Sequence, residues 1–289
     1  MSDRLNFAIN HMTVARLRYD RVISIAAELG CVGVEFRNDL PGDLFDGDAP
    51  ETVRRTAEDA SIRILGLSEI KMFNDWSDQK RVEAEALMKT AKAIGAESVS
   101  LIPRNDGQGC GDGERQESLR VALGELAPML ESHGLVGLVE PLGFEISSLR
   151  RKEEAAEAIE ALGARGTIQL VHDTFHHRLA GETRFFAEHT GIVHVSGVTD
   201  PTVPVSDMTD AHRILVDARD RLGNVEQISA LLDQGYAGPI SFEVFSPEVH
   251  QIEDPRQAIR ESMAHLSREV CASPKMVVST GDVEDQNSF

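Results

Sequence analysis

VGLVEP at residues 136–141, IQLVHD at 168–173, IVHVSG at 192–197 and ISFEVF at 240–245 are four runs of one kind: short, apolar, rich in β-branched residues, and carrying an ionisable side chain within or at the carboxyl end. Their length and turn-rich flanks read as buried strands. Four similar runs precede them, LNFAIN at 5–10, VGVEF at 32–36, RILGLS at 63–68 and SVSLIP at 98–103. Stretches of helical period lie between successive runs, at 18–29, 50–60, 79–94, 115–132, 152–162, about 182–189 and 225–234, and one more follows at 255–271. Gly30, Gly95, Gly134, Gly163 and Gly235 stand where these helices must stop, because a residue that tolerates positive φ ends a helix. Strand and helix alternating in this way predict βα units and a parallel sheet, and eight such units can close on themselves. An open doubly wound sheet would carry a phosphate-gripping glycine loop after its first strand, and INHMTVARL at 9–17 contains no glycine. The expectation is an α/β fold, a closed eight-stranded (β/α)8 barrel, in one domain over residues 1–271. The tail at 272–289 lies beyond the last helix and is expected to be disordered or to pack on a neighbouring subunit.

Composition narrows the classes of partner. The formal net charge of −19 repels polyanions at long range, and no basic patch offsets it, so a nucleic-acid partner is not expected. The chain has no run approaching the ~20 apolar residues of a spanning helix, so no membrane partner is expected either. MSDRLNFAIN has neither a basic nor an apolar leader region, which points to a soluble, cytoplasmic protein. Cys31, Cys110 and Cys271 are odd in number and widely spaced, the pattern of reduced thiols rather than of a disulfide framework or a cysteine zinc site.

Active sites of closed α/β barrels lie at the carboxyl ends of the strands. There the last four runs place Glu140, Asp173, His194 and Glu243, each embedded in apolar sequence. A carboxylate inside a buried strand is costly unless it is paired or binds a cation. Pairing with arginines would account for any one of them. Three carboxylates and one imidazole from four consecutive strands instead invite one divalent metal ion, with Mn²⁺ placed first and Zn²⁺, Co²⁺ or Mg²⁺ as alternatives. Other candidates remain open. His176 and His177 follow the sixth strand, where one could hold a substrate hydroxyl or a second metal, or both could sit in a surface loop. Glu35 and Arg37, in VEFR, could bind substrate oxygens or pair with each other, and Asn10 and His11 have similar standing at the first strand end. Arg213, in the loop after the seventh strand, is a candidate substrate clamp. Met72, Phe73 and Trp76 could wall a pocket or simply pack.

At VEFR, VEPLG, DTFHH, VTDP and GYAGPISFEVFSPE the sequence resembles the xylose isomerase-like TIM-barrel superfamily of sugar isomerases and epimerases, and within it the inosose (2-keto-myo-inositol) isomerases; the likeness runs from about residue 5 to about 268. That resemblance implies that Glu140, Asp173, His194 and Glu243 are the metal ligands, that His176 is the histidine three residues after the aspartate, and that Arg213 is the arginine after the seventh strand. Two departures bear on substrate contacts. LVDARDRLGN replaces a shorter turn containing Pro-Gly, and Ser196 and Gly197 stand where the family often has an acid.

The resemblance further implies an enzyme of carbohydrate metabolism: a keto-polyol or ketose isomerase of inositol catabolism that acts on a small polyhydroxy ketone. Its metal would stabilise an enediolate while Glu140 and Glu243 transfer the proton. A ketose 3-epimerase, an inosose dehydratase and a non-catalytic sugar-binding barrel are the competing readings. The apurinic-site endonucleases of the same superfamily use many histidines and bind DNA, which the acidic composition disfavours. A homo-oligomer is compatible with the sequence.

Overall fold

A computed structural model describes residues 5–273. The tail expected at 272–289 therefore lies, but for its first two residues, outside the described residues. Eight strands, β1 (Phe7–Asn10), β2 (Gly33–Arg37), β3 (Arg63–Lys71), β4 (Ser98–Ile102), β5 (Val136–Val139), β6 (Ile168–Asp173), β7 (Thr190–Val195) and β8 (Ile240–Phe242), form a closed barrel in sequence order. All neighbours are parallel, and Phe7 opposite Ile240 closes the ring. The expected count and order of strands hold.

Helices α1 (Tyr19–Leu29), α2 (Pro50–Asp59), α3 (Asp78–Ile94), α4 (Glu114–His133), α5 (Lys152–Ala161), α6 (Thr174–Ala180), α7 (Asn224–Asp233), the single turn α8 (Pro247–His250) and α9 (Arg256–Ala272) surround the barrel. Gly30, Gly95 and Gly134 end α1, α3 and α4 in the left-handed conformation, as their positions in the sequence predict. One helix is displaced from expectation. The crossover after β6 is helical at Thr174–Ala180, not at 182–189, where the only helical turn is Ala187–His189. The reason is local: the Asp173 carboxylate caps the helix by accepting the His176 backbone N–H at 2.9 Å, and Gly181 at φ 64° ends it seven residues on. An acid at the N-cap and a glycine past the C-terminus define this short helix, and α6 therefore begins at the rim itself.

Side chains on a strand alternate between its two faces. Ala8, Leu65, Leu138, Val171 and Ile192 pack on one another in a small cluster separate from the large core between sheet and helices. This cluster plugs the barrel interior. Two residues further along β1, β5, β6 and β7 come Asn10, Glu140, Asp173 and His194, so the strand period carries these polar side chains onto the same inner face, one layer above the plug.

Gly33 sits in this plug beside Leu65. A Cβ there would lie 2.6 Å from Leu65 Cγ and 2.7 Å from the Arg63 carbonyl oxygen, and the second contact is with backbone that cannot swing aside. Gly33→Ala is expected to destabilise the barrel by about 1–3 kcal/mol, read as a lower midpoint in urea with an unchanged slope.

Candidate metal centre

The four residues expected as ligands converge. Glu140 follows β5 directly and its N–H is held by the Leu101 carbonyl oxygen at 3.1 Å; Glu243 follows β8 and its N–H is held by Val195 at 3.0 Å. Asp173 and His194 are register partners on β6 and β7. All four side chains are buried, and one ligand atom from each lies within 4.8 Å of the others. No other such group of three or more histidine, cysteine or acidic residues occurs among the described residues.

The surroundings of His194 test whether a cation fits. Its Nε2 lies 3.1 Å from Glu35 Oε2, and Glu35 Oε1 accepts the Ser241 hydroxyl at 2.5 Å and the Asn10 amide at 3.5 Å. Nδ1, in contrast, is buried without a hydrogen bond, although Glu243 Oε2 and Glu140 Oε1 stand 3.3 and 3.6 Å away. A metal-ligating histidine characteristically gives its other N–H to a carboxylate, which fixes the tautomer and frees the ligating lone pair. With Nε2–H committed to Glu35, the Nδ1 lone pair faces three carboxylates. The charges agree, since Arg37 and Arg213 offset only part of the four buried carboxylates Glu35, Glu140, Asp173 and Glu243. The donor set suits one divalent cation.

In the metal-free site the carboxylates titrate far apart. Burial, with the charge of Glu243 adding to it, raises Glu140 to about 7. Burial acts the same way on Glu243, but His194, Arg213 and Arg37 outweigh it and hold that carboxyl well below the usual range. Burial alone would lower His194; Glu35 and Glu243 raise it well above the ordinary histidine value.

The remaining expected residues separate into those that face the cavity and those that support it. A cavity of about 350 Å³ opens over Glu140 and Glu243 and is lined also by Arg37, His176 and Arg213. His176 Nδ1 accepts the Gly143 N–H at 3.2 Å, so its Nε2 carries the proton, and burial keeps the ring neutral. His177 stacks on Phe185 and, unlike His176, is not among the residues lining the cavity. Arg213 donates to Asp173 at 2.6 Å and Glu243 at 3.0 Å and lies between the rings of Phe175 and Phe245. Ser196, at the position where the family often carries an acid, accepts the Arg213 Nε–H at 2.9 Å.

Glu35 and Arg37 do not pair with each other. Glu35 orients His194, whereas Arg37 binds Asp39 through two nitrogens and Glu243 Oε1 at 2.7 Å. Asn10 donates to Glu35 and, at 3.3 Å, to Glu243. Glu35 and Asn10 share the layer of Glu140 but are not among the residues lining the cavity, because Glu35 is turned to His194 and Asn10 to Glu35 and Glu243. His11 binds the Leu17 carbonyl instead. Met72 lines the cavity and Phe73 is core. Sequence reasoning missed Ser241, Asp39, Phe245 and Glu69; a strand read as ending at residue 68 hides the last of these.

A parallel eight-stranded barrel with a carboxylate-rich, single-histidine centre at its carboxyl rim is the architecture of the metal-dependent sugar isomerases and epimerases. The comparisons agree. Residues 23–269 match the family model described as the xylose isomerase-like TIM barrel, and the chain belongs to that family. It is 28% identical over 200 residues to the inosose isomerase of Halalkalibacterium halodurans, covering 66% of this chain and 70% of the relative. A xylose isomerase domain-containing protein of Salmonella typhimurium LT2 superposes with a TM-score of 0.83 at 29% identity over 94% of this chain and 98% of its own. The IOLI protein, whose crystal structure holds a zinc atom, has the same TM-score at 20% identity over 94% and 100%. The chain is thus an enzyme of sugar isomerase or epimerase type with a centre for a divalent metal.

Glu35 provides a test of the centre. Glu35→Gln retains the shape but removes the charged acceptor from His194, so divalent-metal affinity measured by calorimetry should fall by about 10–100-fold while the far-ultraviolet circular dichroism stays that of the wild type.

Proposed function

We propose that this chain isomerises an uncharged keto-polyol, with 2-keto-myo-inositol as substrate, by moving a proton between adjacent carbons. The observation that carries the reading is the pair Glu140 and Glu243. Both approach His194 Nδ1, at 3.6 and 3.3 Å, both line the cavity, and their surroundings drive their proton affinities apart. Two carboxyls so separated are suited to an acid and a base.

Bound between these side chains, a divalent ion would supply Lewis acidity that polarises the substrate carbonyl; Mn²⁺ is the ion we assign, with Zn²⁺, Co²⁺ and Mg²⁺ the others the donor set accepts. Glu243, paired with Arg213 and Arg37, takes the proton from the hydroxyl-bearing carbon. Glu140, which holds a proton more readily, delivers one to the neighbouring carbon. As the hydroxyl proton of the first carbon passes to the oxygen of the second, the carbonyl moves by one position and no proton is gained or lost by the substrate. His176 Nε2–H is the donor aimed at a substrate oxygen, and the Phe175 and Phe245 rings that enclose Arg213 keep water from it.

The inosose assignment is supported by the curated relatives, which carry that name at 23–28% identity, and would place the enzyme in inositol breakdown. An uncharged substrate is supported by the cavity lining, where the carboxylates of Asp39, Glu69, Asp106 and Asp210 outnumber the cations of Arg37, Lys71 and Arg213 even before Glu140 and Glu243 are counted.

Stripping the protein with a chelator, restoring single divalent ions and following 2-keto-myo-inositol in D₂O by proton NMR tests the reading. Metal-dependent appearance of an isomeric inosose is the expected result, and Glu243→Gln should lower kcat by about 10²–10⁴-fold with the fold intact. Turnover of ketohexoses alone would make the enzyme a 3-epimerase, and loss of water from the inosose would make it a dehydratase. Full activity in Glu243→Gln would remove that residue from the proton transfer.

A further inference from the structure

β3 runs for nine residues, Arg63–Lys71, and is irregular where it passes the rim. Leu67 pairs with Val99 and Ile70 with Leu101, so three steps on β3 match two on β4. An extra residue of this kind re-aims the side chains around it. Here it falls at Ser68 and Glu69, and the Glu69 backbone is clamped from the loop after β2. Its N–H donates to Asn38 Oδ1 at 2.9 Å, and its carbonyl accepts Asn38 Nδ2–H at 3.2 Å. Glu69 is thereby held among the residues lining the cavity over Glu140 and Glu243.

The Glu69 side chain is only 10% exposed, yet its carboxylate accepts no hydrogen bond from any described residue. The nearest cation, Arg37 Nη2, is 3.9 Å away and is already engaged by Asp39, while Nη1 of the same guanidinium holds Glu243. Asn105, from the loop after β4, lines the same cavity and has a buried amide oxygen that also lacks a partner. The Asn105 oxygen, buried without a donor, carries a desolvation cost that a donor in the cavity relieves, and the largely buried Glu69 carboxylate is the charged acceptor on the same wall. Burial accordingly pushes the Glu69 carboxyl above its ordinary value.

We propose that Glu69, with Asn105 on the same wall, accepts a hydrogen bond from a substrate hydroxyl on the side of the cavity away from the reacting carbons, and so determines which polyol the enzyme takes. The assignment rests on the reading of this cavity as a polyhydroxy-ketone site. The donor is a neutral hydroxyl, since an anionic group would meet Glu69, Asp39 and Asp106 together. One guanidinium separates Glu69 from Glu243. A ligand that also reaches the metal centre must therefore span that width, which favours a six-carbon polyol over a triose. A site built to hydrogen-bond a hydroxyl rejects the analogue that lacks it.

Protein loaded with Mn²⁺ is titrated calorimetrically with myo-inositol and with each monodeoxy-inositol, as wild type, Glu69→Ala and Glu69→Gln. Wild type is expected to bind myo-inositol at least tenfold more tightly than one of the deoxy analogues. In Glu69→Ala that preference falls below twofold, while Mn²⁺ affinity stays that of wild type. Glu69→Gln, which keeps the shape and a neutral acceptor, loses at least threefold of it and decides the matter should the alanine variant fail to fold. A wild type that binds none of the polyols, or all of them alike, overturns the proposal, as does a preference that survives in the variants. Turnover of 2-keto-myo-inositol by wild type is read separately. If it is absent while the preference is present, the isomerase reading fails and the role of Glu69 stands; turnover without the preference gives the reverse.

Discussion

The hydrogen bond between His194 Nε2 and Glu35 is the contact on which the centre depends. It lies inside a closed barrel, with both side chains 1% exposed, where water cannot substitute for a missing partner. Ser241 and Asn10 support Glu35 from β8 and β1, and Asn10 reaches on to Glu243. The imidazole is therefore gripped from one side, and its unbonded nitrogen can point only toward Glu140 and Glu243. Arg37 and Arg213 offset part of the buried charge, and a divalent cation at the centre would offset the rest.

The same economy recurs one strand away. Asp173 presents one carboxylate oxygen to Arg213 and uses the other to cap α6. Moving the ligand would uncap the helix, and shifting the helix would move His176, whose Nδ1 is fixed by the Gly143 N–H. Gly143 has no room for a side chain: a Cβ there would lie 2.4 Å from the His176 carbonyl oxygen. Asp173, the position of α6 and the cavity-lining His176 form one mechanical unit, assembled from a rim aspartate, a seven-residue helix and a glycine. Arg213 joins it to β8 through Glu243, and Ser196 holds the guanidinium in place of the acid the family often carries there.

The barrel and its tetrad were legible in the sequence for the same reason. A polar residue in an apolar run is conspicuous, and the strand period then fixes the face on which it lies, so that Glu140, Asp173 and His194 could be placed above Leu138, Val171 and Ile192. Residues whose roles depend on distant partners were not legible. Nothing near VEFR indicates that Arg37 will meet Glu243, 206 positions away, and not Glu35. Nor does HDTFHH reveal which histidine turns inward until α6 is known to start at Thr174, because a helix sends adjacent residues about 100° apart and the starting point decides the outcome. The displaced helix and the undecided histidine were one uncertainty.

Glu69 escaped for a different reason. Pattern reading assumes a regular strand, and the signal at RILGLS ends where the β3 ladder slips by one residue. Irregular backbone is also where a barrel can vary its ligand without disturbing its chemistry. The tetrad comes from β5 to β8, whereas Arg37, Glu69 and Asn105 come from β2, β3 and the loop after β4. On the proposed reading, half of the rim holds the ion and the proton-transferring carboxyls, and the other half faces the rest of the substrate. Arg37 joins the two by binding Glu243 on one side and lying beside Glu69 on the other. Regular strands can specify the first half by their period alone, because the ion's demands on geometry are strict. A polyol imposes no such fixed geometry, so the second half is free to be built from a bulge, an asparagine clamp and a loop, none of which has a period to read.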